Sequence, residues 1–290
     1  MSAAGAEPDQ GSHARDRSRW RALASSPWVA LALVLALACL AYGRTLSYEV
    51  LGHDAWALVD AARIGSWREL AAPFHEPFMD GRFGVAYFRP IQSVFYALDY
   101  ALSGLDPHGY QISGLLAFLA CCTALYLLAR RCLGGSAAAL PALVAALGFV
   151  LYAGHWEVIP MLERRHEMLA GSFAAFALFA QLSPARLALG RPSWIAGLLA
   201  FGAMGSKEAG AIVAPIAFVC AVAYSGAGAG RVRRVVIACV PFFCATLLFT
   251  ALRVNAIGGV GGERWDQPLT LANMLDVVEK TLLPQPDFRV

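Results

Sequence analysis

Residues 194–224 read WIAGLLAFGAMGSKEAGAIVAPIAFVCAVAY, two apolar runs parted only by Ser206-Lys207-Glu208. A membrane-spanning helix needs about 20 apolar residues to cover roughly 30 Å of hydrocarbon, so this stretch is either one kinked crossing or a tight hairpin of two. Charge elsewhere in the chain decides, because loops rich in Lys and Arg stay on the cytoplasmic side. With the N-terminus inside and a hairpin here, Arg15, Arg17, Arg19 and Arg21 fall inside, as do Arg130 with Arg131, Arg186 with Arg191, and Arg231, Arg233 and Arg234. A single fused helix would put the last cluster outside. The acids agree, since with the hairpin every Asp and Glu after Asp16 lands on the outer face.

Working outward, the apolar runs predict seven crossings: 22–43, 110–128, 136–154, 167–182, 194–205, 209–224 and 235–252. The fold expected is an all-α polytopic membrane protein of about seven transmembrane helices, multi-pass, with the N-terminus cytoplasmic and the C-terminus outside. Its Ala- and Arg-rich usage points to a bacterial inner membrane. Composition concurs: 290 residues with 58% apolar and 15% charged side chains, and a mean hydropathy of +0.56, are too apolar for a soluble domain. Sparse charge excludes disorder, the blocky apolar pattern excludes a coiled coil, and nothing suggests nucleic-acid binding. All seven cysteines lie in or beside apolar runs and read as small hydrophobes, with neither a disulfide framework nor a metal pair. The first run has the basic flank of a signal peptide, and Ala36-Leu37-Ala38-Cys39 hints at a lipoprotein cleavage site. Its length favours an uncut anchor.

Three regions follow: a basic tail over 1–21, a transmembrane domain over 22–255, and a Gly-rich connector with an amphipathic segment over 256–290. The longest loop, 45–109, holds eight acids. Within it, Asp54 to Arg63 has a helical period with Trp56, Val59 and Ala62 on one side. Pro90 opens a second helix striped by Ile91, Phe95, Leu98 and Leu102. Such helices lie along the interface with the apolar face down. A second outer loop packs His155, Glu157, Glu163, Arg164, Arg165 and His166 together, and Lys207-Glu208 is an ionisable pair close to the bilayer, by default a functional mark.

Gly52-His53-Asp54 after the first crossing, Tyr87-Phe88-Arg89-Pro90-Ile91, the His155-Trp156-Glu157-Val158 loop followed by Arg165-His166-Glu167-Met168-Leu169, and Ser206-Lys207-Glu208 together resemble a known family. This set is similar to the polyprenyl-phosphate-sugar-dependent glycosyltransferases of the GT-C type, in particular the protein O-mannosyltransferase-like and tetratricopeptide-linked members. The resemblance covers about residues 28–255. It implies Asp54 as general base for an acceptor hydroxyl on a protein or glycan, and Arg89, Arg165 and Lys207 as cations for the donor's lipid phosphate. Glu49, His53, His166 and Glu208 would be in support. The donor is then a polyprenyl-phosphate sugar, and the scheme requires no metal or cofactor. Many relatives have two adjacent acids where this chain has His53-Asp54, so Glu49 or Asp60 would replace the second. Relatives usually have eleven or more crossings, which makes seven correspond to an N-terminal part.

Plainer readings stand beside these. Asp54 is also a favoured helix N-cap. Arg89 could pair with Asp80 or snorkel to headgroups, Arg164 and Arg165 could balance Glu157, Glu163 and Glu167, and Lys207 could simply pair with Glu208. A non-catalytic membrane protein, such as a transporter subunit or an inactive partner, is the competing class. Transporters hold their charges at mid-bilayer on broken helices, whereas here the charges gather in loops. His166-Glu167 lacks the second histidine of a zinc-protease motif, and the Gly258 to Gly262 stretch lacks the ending of a phosphate-binding loop.

Overall fold

A computed structural model describes residues 26–258 except 50, 51, 53, 65, 82–86, 135–137, 184, 185, 188, 226 and 227. The basic tail, His53 and the C-terminal connector lie outside the described residues. Those described form helices and no strand. The long or apolar ones are α1 (Pro27–Tyr42), α5 (Pro107–Leu133), α6 (Ala139–Val150), α7 (Arg165–Gln181), α8 (Trp194–Ser206), α9 (Val213–Tyr224) and α10 (Arg231–Ile257). Between α1 and α5 come α2 (Ala55–Ala61), α3 (Trp67–Ala71) and α4 (Pro90–Ser103).

Three stretches, Pro27–Ser47, Pro107–Leu133 and Arg231–Ile257, are long and apolar enough to cross a membrane. The other four expected crossings form shorter helices. At about 1.5 Å per residue, the 12 residues of α6 span only about 18 Å, because the chain leaves the α-helix at Leu151 for a 3-10 turn over Ala153–Glu157. Helix α9 is likewise 12 residues, led in by the 3-10 turn Glu208–Ile212.

End-to-end contacts fix the direction of each helix. Tyr42, at the C-terminus of α1, donates to the Val150 carbonyl at the C-terminus of α6 (2.9 Å). Tyr126, near the C-terminus of α5, donates to Pro27 at the start of α1 (2.9 Å). Tyr224, at the end of α9, reaches Cys132 at the end of α5, and Arg253, in the last turn of α10, reaches Glu208. The seven helices therefore alternate in direction. The acids and the 45–109 loop sit at one end, called the acidic end below; the starts of α1, α8 and α10 sit at the other.

Two apolar cores share α7. One joins Val34, Ala38, Phe118, Cys122, Ala146 and Met168, and the other Ala177, Ala200, Met204, Ala217, Ala238 and Phe242. Small residues set the seams: a Cβ added at Gly197 of α8 would stand 2.8 Å from the Pro241 carbonyl oxygen of α10. Backbones pack that closely only where no side chain intervenes. Gly197→Ala should therefore cost about 1–3 kcal/mol through overpacking, read as a lower melting temperature in detergent. Gly148→Ala in α6, where an added Cβ meets nothing within 4 Å, should be neutral or stabilising, and equal effects at the two sites would refute the seam.

The loop helices divide their faces between the protein and the outside. In α2, Trp56 is exposed while Ala55, Leu58, Val59 and Ala62 are buried, joined by Phe78, Tyr96 and Tyr110. In helix α4, Gln92, Ser93, Tyr96 and Asp99 face inward, while of the predicted stripe Leu98 and Leu102 are 47% and 85% exposed and Ile91 and Phe95 are half-buried.

Candidate functional site

The acidic end is organised by three helix starts. Pro90 fixes the first turn of α4, the 3-10 turn Leu162–Arg164 leads into α7, and Lys207 ends α8 in extended backbone (φ −153°, ψ 138°). Side chains from these three points form two adjoining groups, one on Lys207 and one on Glu208.

Lys207 and Glu208 do not pair with each other. Lys207 Nζ donates to Glu167 in the first turn of α7. Glu208 accepts from Arg89 Nε at 3.2 Å, from Arg253 Nη1 at 3.3 Å and from the Phe88 backbone N–H at 3.3 Å. Arg89 thus pairs with a loop acid, Glu208, and its guanidinium stacks 4.3 Å from the Tyr87 ring centroid and 5.8 Å from that of Phe78. Arg89, Arg253 and Lys207 against Glu208 and Glu167 leave one net positive charge in this cluster. Of the three cations, Lys207 is the most open, its side chain 27% accessible against 12% for Arg89 and 9% for Arg253.

His166 links this cluster to α4. The Gln92 amide nitrogen lies 3.3 Å from His166 Nδ1, and His166 Nε2 lies 3.5 Å from Glu167. The same amide group donates to Tyr96, which donates to the Leu162 carbonyl (2.8 Å). Burial pushes the Tyr96 hydroxyl up to about 12, so it remains a proton donor.

Arg165 goes elsewhere. It is 3% exposed, pairs with Asp99 and donates to the Tyr110 carbonyl at 2.6 Å. A guanidinium committed to a buried carboxylate is not offered to a phosphate, so the cationic role given to Arg165 by the resemblance has no geometric counterpart. Burial lifts the Asp99 carboxyl above its ordinary range even beside this arginine. Arg164, by contrast, balances Glu157 at 3.4 Å on the surface. His155 sits in a box of Tyr42, Phe118, Phe149 and Tyr152, and burial lowers its imidazole pKa.

Asp54 is exposed and stands at the N-cap position of α2 without a side-chain cap bond. Its neighbour was not evident from sequence: Glu163 Oε2 accepts the Asp54 backbone N–H at 3.4 Å across 109 residues. Gly52 makes room for it, with φ at +126° and an added Cβ only 2.9 Å from that oxygen. The carboxylate beside Asp54 is thus Glu163, while Asp60 pairs with Arg63 and Glu49 contributes its carbonyl to Gln111. Arg253 was also missed; its signal was a lone cation directly after an apolar run, on the face where acids predominate. Among the described residues, no three His, Cys, Asp or Glu side chains converge as a metal site.

No family model matches the chain, nor does any curated protein or solved structure.

Proposed function

We propose that the chain is a GT-C-like membrane glycosyltransferase, or the N-terminal part of one, working on the outer face of a membrane that it crosses seven times. The alternating directions of α1 and α5 to α10 support the seven crossings, and the shorter helices turn apolar residues such as Leu140, Leu198 and Val219 outward, as lipid-facing segments do. The outward apolar side of α4 suits a helix lying at the interface. The observation that carries the reading is the placement of Arg89 and Lys207 in two ion-paired groups, joined through the consecutive residues Lys207 and Glu208, at the end that also holds Asp54 and Glu163.

The chemistry follows from that layout. Asp54 takes the proton of an acceptor hydroxyl, whose oxygen attacks the anomeric carbon of the donor with inversion as the bond to the phosphate oxygen breaks. Polyprenyl phosphate leaves, Arg89 and Lys207 stabilise its charge, and the buried Arg253 holds Glu208 in place behind them.

The test is donor consumption in membranes carrying the chain. Polyprenyl-phosphate-linked sugar should be consumed above the background of membranes without it. Arg89→Gln and Lys207→Gln should each weaken donor use about tenfold to a hundredfold, mostly in KM, since a charge-assisted bond contributes about 1.5–3 kcal/mol. No consumption across a panel of lipid-linked sugars would favour the non-catalytic partner instead.

A further inference from the structure

The opposite end of the bundle carries a different charge pattern. Seven arginines gather there, at the C-terminus of α5, over residues 186–191 and at the N-terminus of α10, with no Asp or Glu beside them among the described residues. Three are committed to helix ends: Arg131 to the Phe179 carbonyl of α7, Arg231 to Val222 of α9, and Arg234 to Ser225 just beyond it. Cationic side chains suit helix C-termini, where carbonyls lack partners. These bonds, with Tyr224 on Cys132, hold the ends of α5, α7, α9 and α10 together.

The remaining four, Arg130, Arg186, Arg191 and Arg233, make no ion pair among the described residues. Arg186, Arg191 and Arg233 are exposed, and the Arg130 Nε is buried without a hydrogen-bond partner. So many cations without an acid repel one another unless anions are supplied from outside. Exposed aromatic residues mark the same level: Trp28 opens α1, Trp194 opens α8 and Tyr224 closes α9, at 72%, 61% and 48% exposure. Amphipathic rings in that position sit at the headgroup layer.

We propose that this end binds the phosphodiester headgroups of anionic phospholipids through Arg130, Arg186, Arg191 and Arg233. Guanidinium forks match phosphate oxygens two at a time, and each basic residue near an anionic leaflet adds attraction. The proposal is independent of the sugar transfer, which uses the other end.

The full chain in neutral detergent tests it, with bound lipid read by native mass spectrometry and stability by melting temperature. Phosphatidylglycerol should raise the melting temperature and be retained at least about tenfold over phosphatidylcholine. A variant carrying R130Q, R186Q, R191Q and R233Q should lose that preference, while R68Q at the acidic end should keep it. Should the fourfold variant not fold, Arg233→Gln alone, exposed in the first turn of α10, should reduce the preference about fivefold. Equal retention of the two lipids, or an undiminished preference in these variants, would overturn the proposal. Protection by inorganic phosphate equal to that by phosphatidylglycerol would also overturn it, by assigning the end to a soluble anion.

Discussion

Asp99→Ala and Arg165→Ala are each expected to destabilise the folded chain by about 3–5 kcal/mol, the largest stability loss expected from any single substitution at the acidic end. Either change leaves one charge buried, with its partner gone and no water to replace it. Arg165 also ties α7 to the Tyr110 carbonyl of α5, and Asp99 ties in α4, so three elements loosen together. The paired replacement Asp99→Leu with Arg165→Met should recover most of the loss. Desolvation already outweighs attraction at Asp99, whose carboxyl is raised above its ordinary range, so removing both charges relieves the cost that each single change exposes. Melting temperatures in one detergent give the comparison. A structural role also predicts that the paired variant keeps the donor KM of the parent; a KM raised tenfold with stability intact would return Arg165 to the phosphate.

That pair marks the limit of what sequence could give. Apolar runs and the inside placement of arginines are properties of the chain itself, so helical class and the separation of charge were legible without coordinates. The partners of each charge were not. Glu208 lies next to Lys207 in sequence, yet the helix break at Lys207 sends the two side chains to different helices, one to Glu167 and the other to Arg89 and Arg253. Helix α4 hid its buried polar face for a related reason. Its apolar stripe was read correctly as a stripe, but a chain surrounded by lipid can turn such a stripe outward and bury Gln92 and Asp99, provided each polar group finds a partner. Glu163 could not be found as the neighbour of Asp54, since the two lie 109 residues apart and meet only when the loop after α1 folds over the start of α7.

Asp54→Asn is expected to lower donor turnover by about 10²–10⁴-fold while leaving the melting temperature unchanged. The substitution separates the two roles open to this residue. Asparagine caps a helix as well as aspartate and has nearly the same shape, but its amide cannot take up a proton. Asp54 is exposed and makes no side-chain cap bond, so the fold loses nothing that Asn would fail to supply. Glu163→Gln provides the counterpart. Its carboxylate holds the Asp54 backbone N–H, and a carboxamide oxygen accepts the same bond, so a purely positioning Glu163 predicts a loss well below that of Asp54→Asn. If Asp54→Asn retains full turnover and Glu163→Gln loses it, the base is Glu163 and the attacking hydroxyl approaches from the α7 side. If neither change matters while Arg89→Gln still weakens donor use, a group other than these two carboxylates takes the acceptor proton.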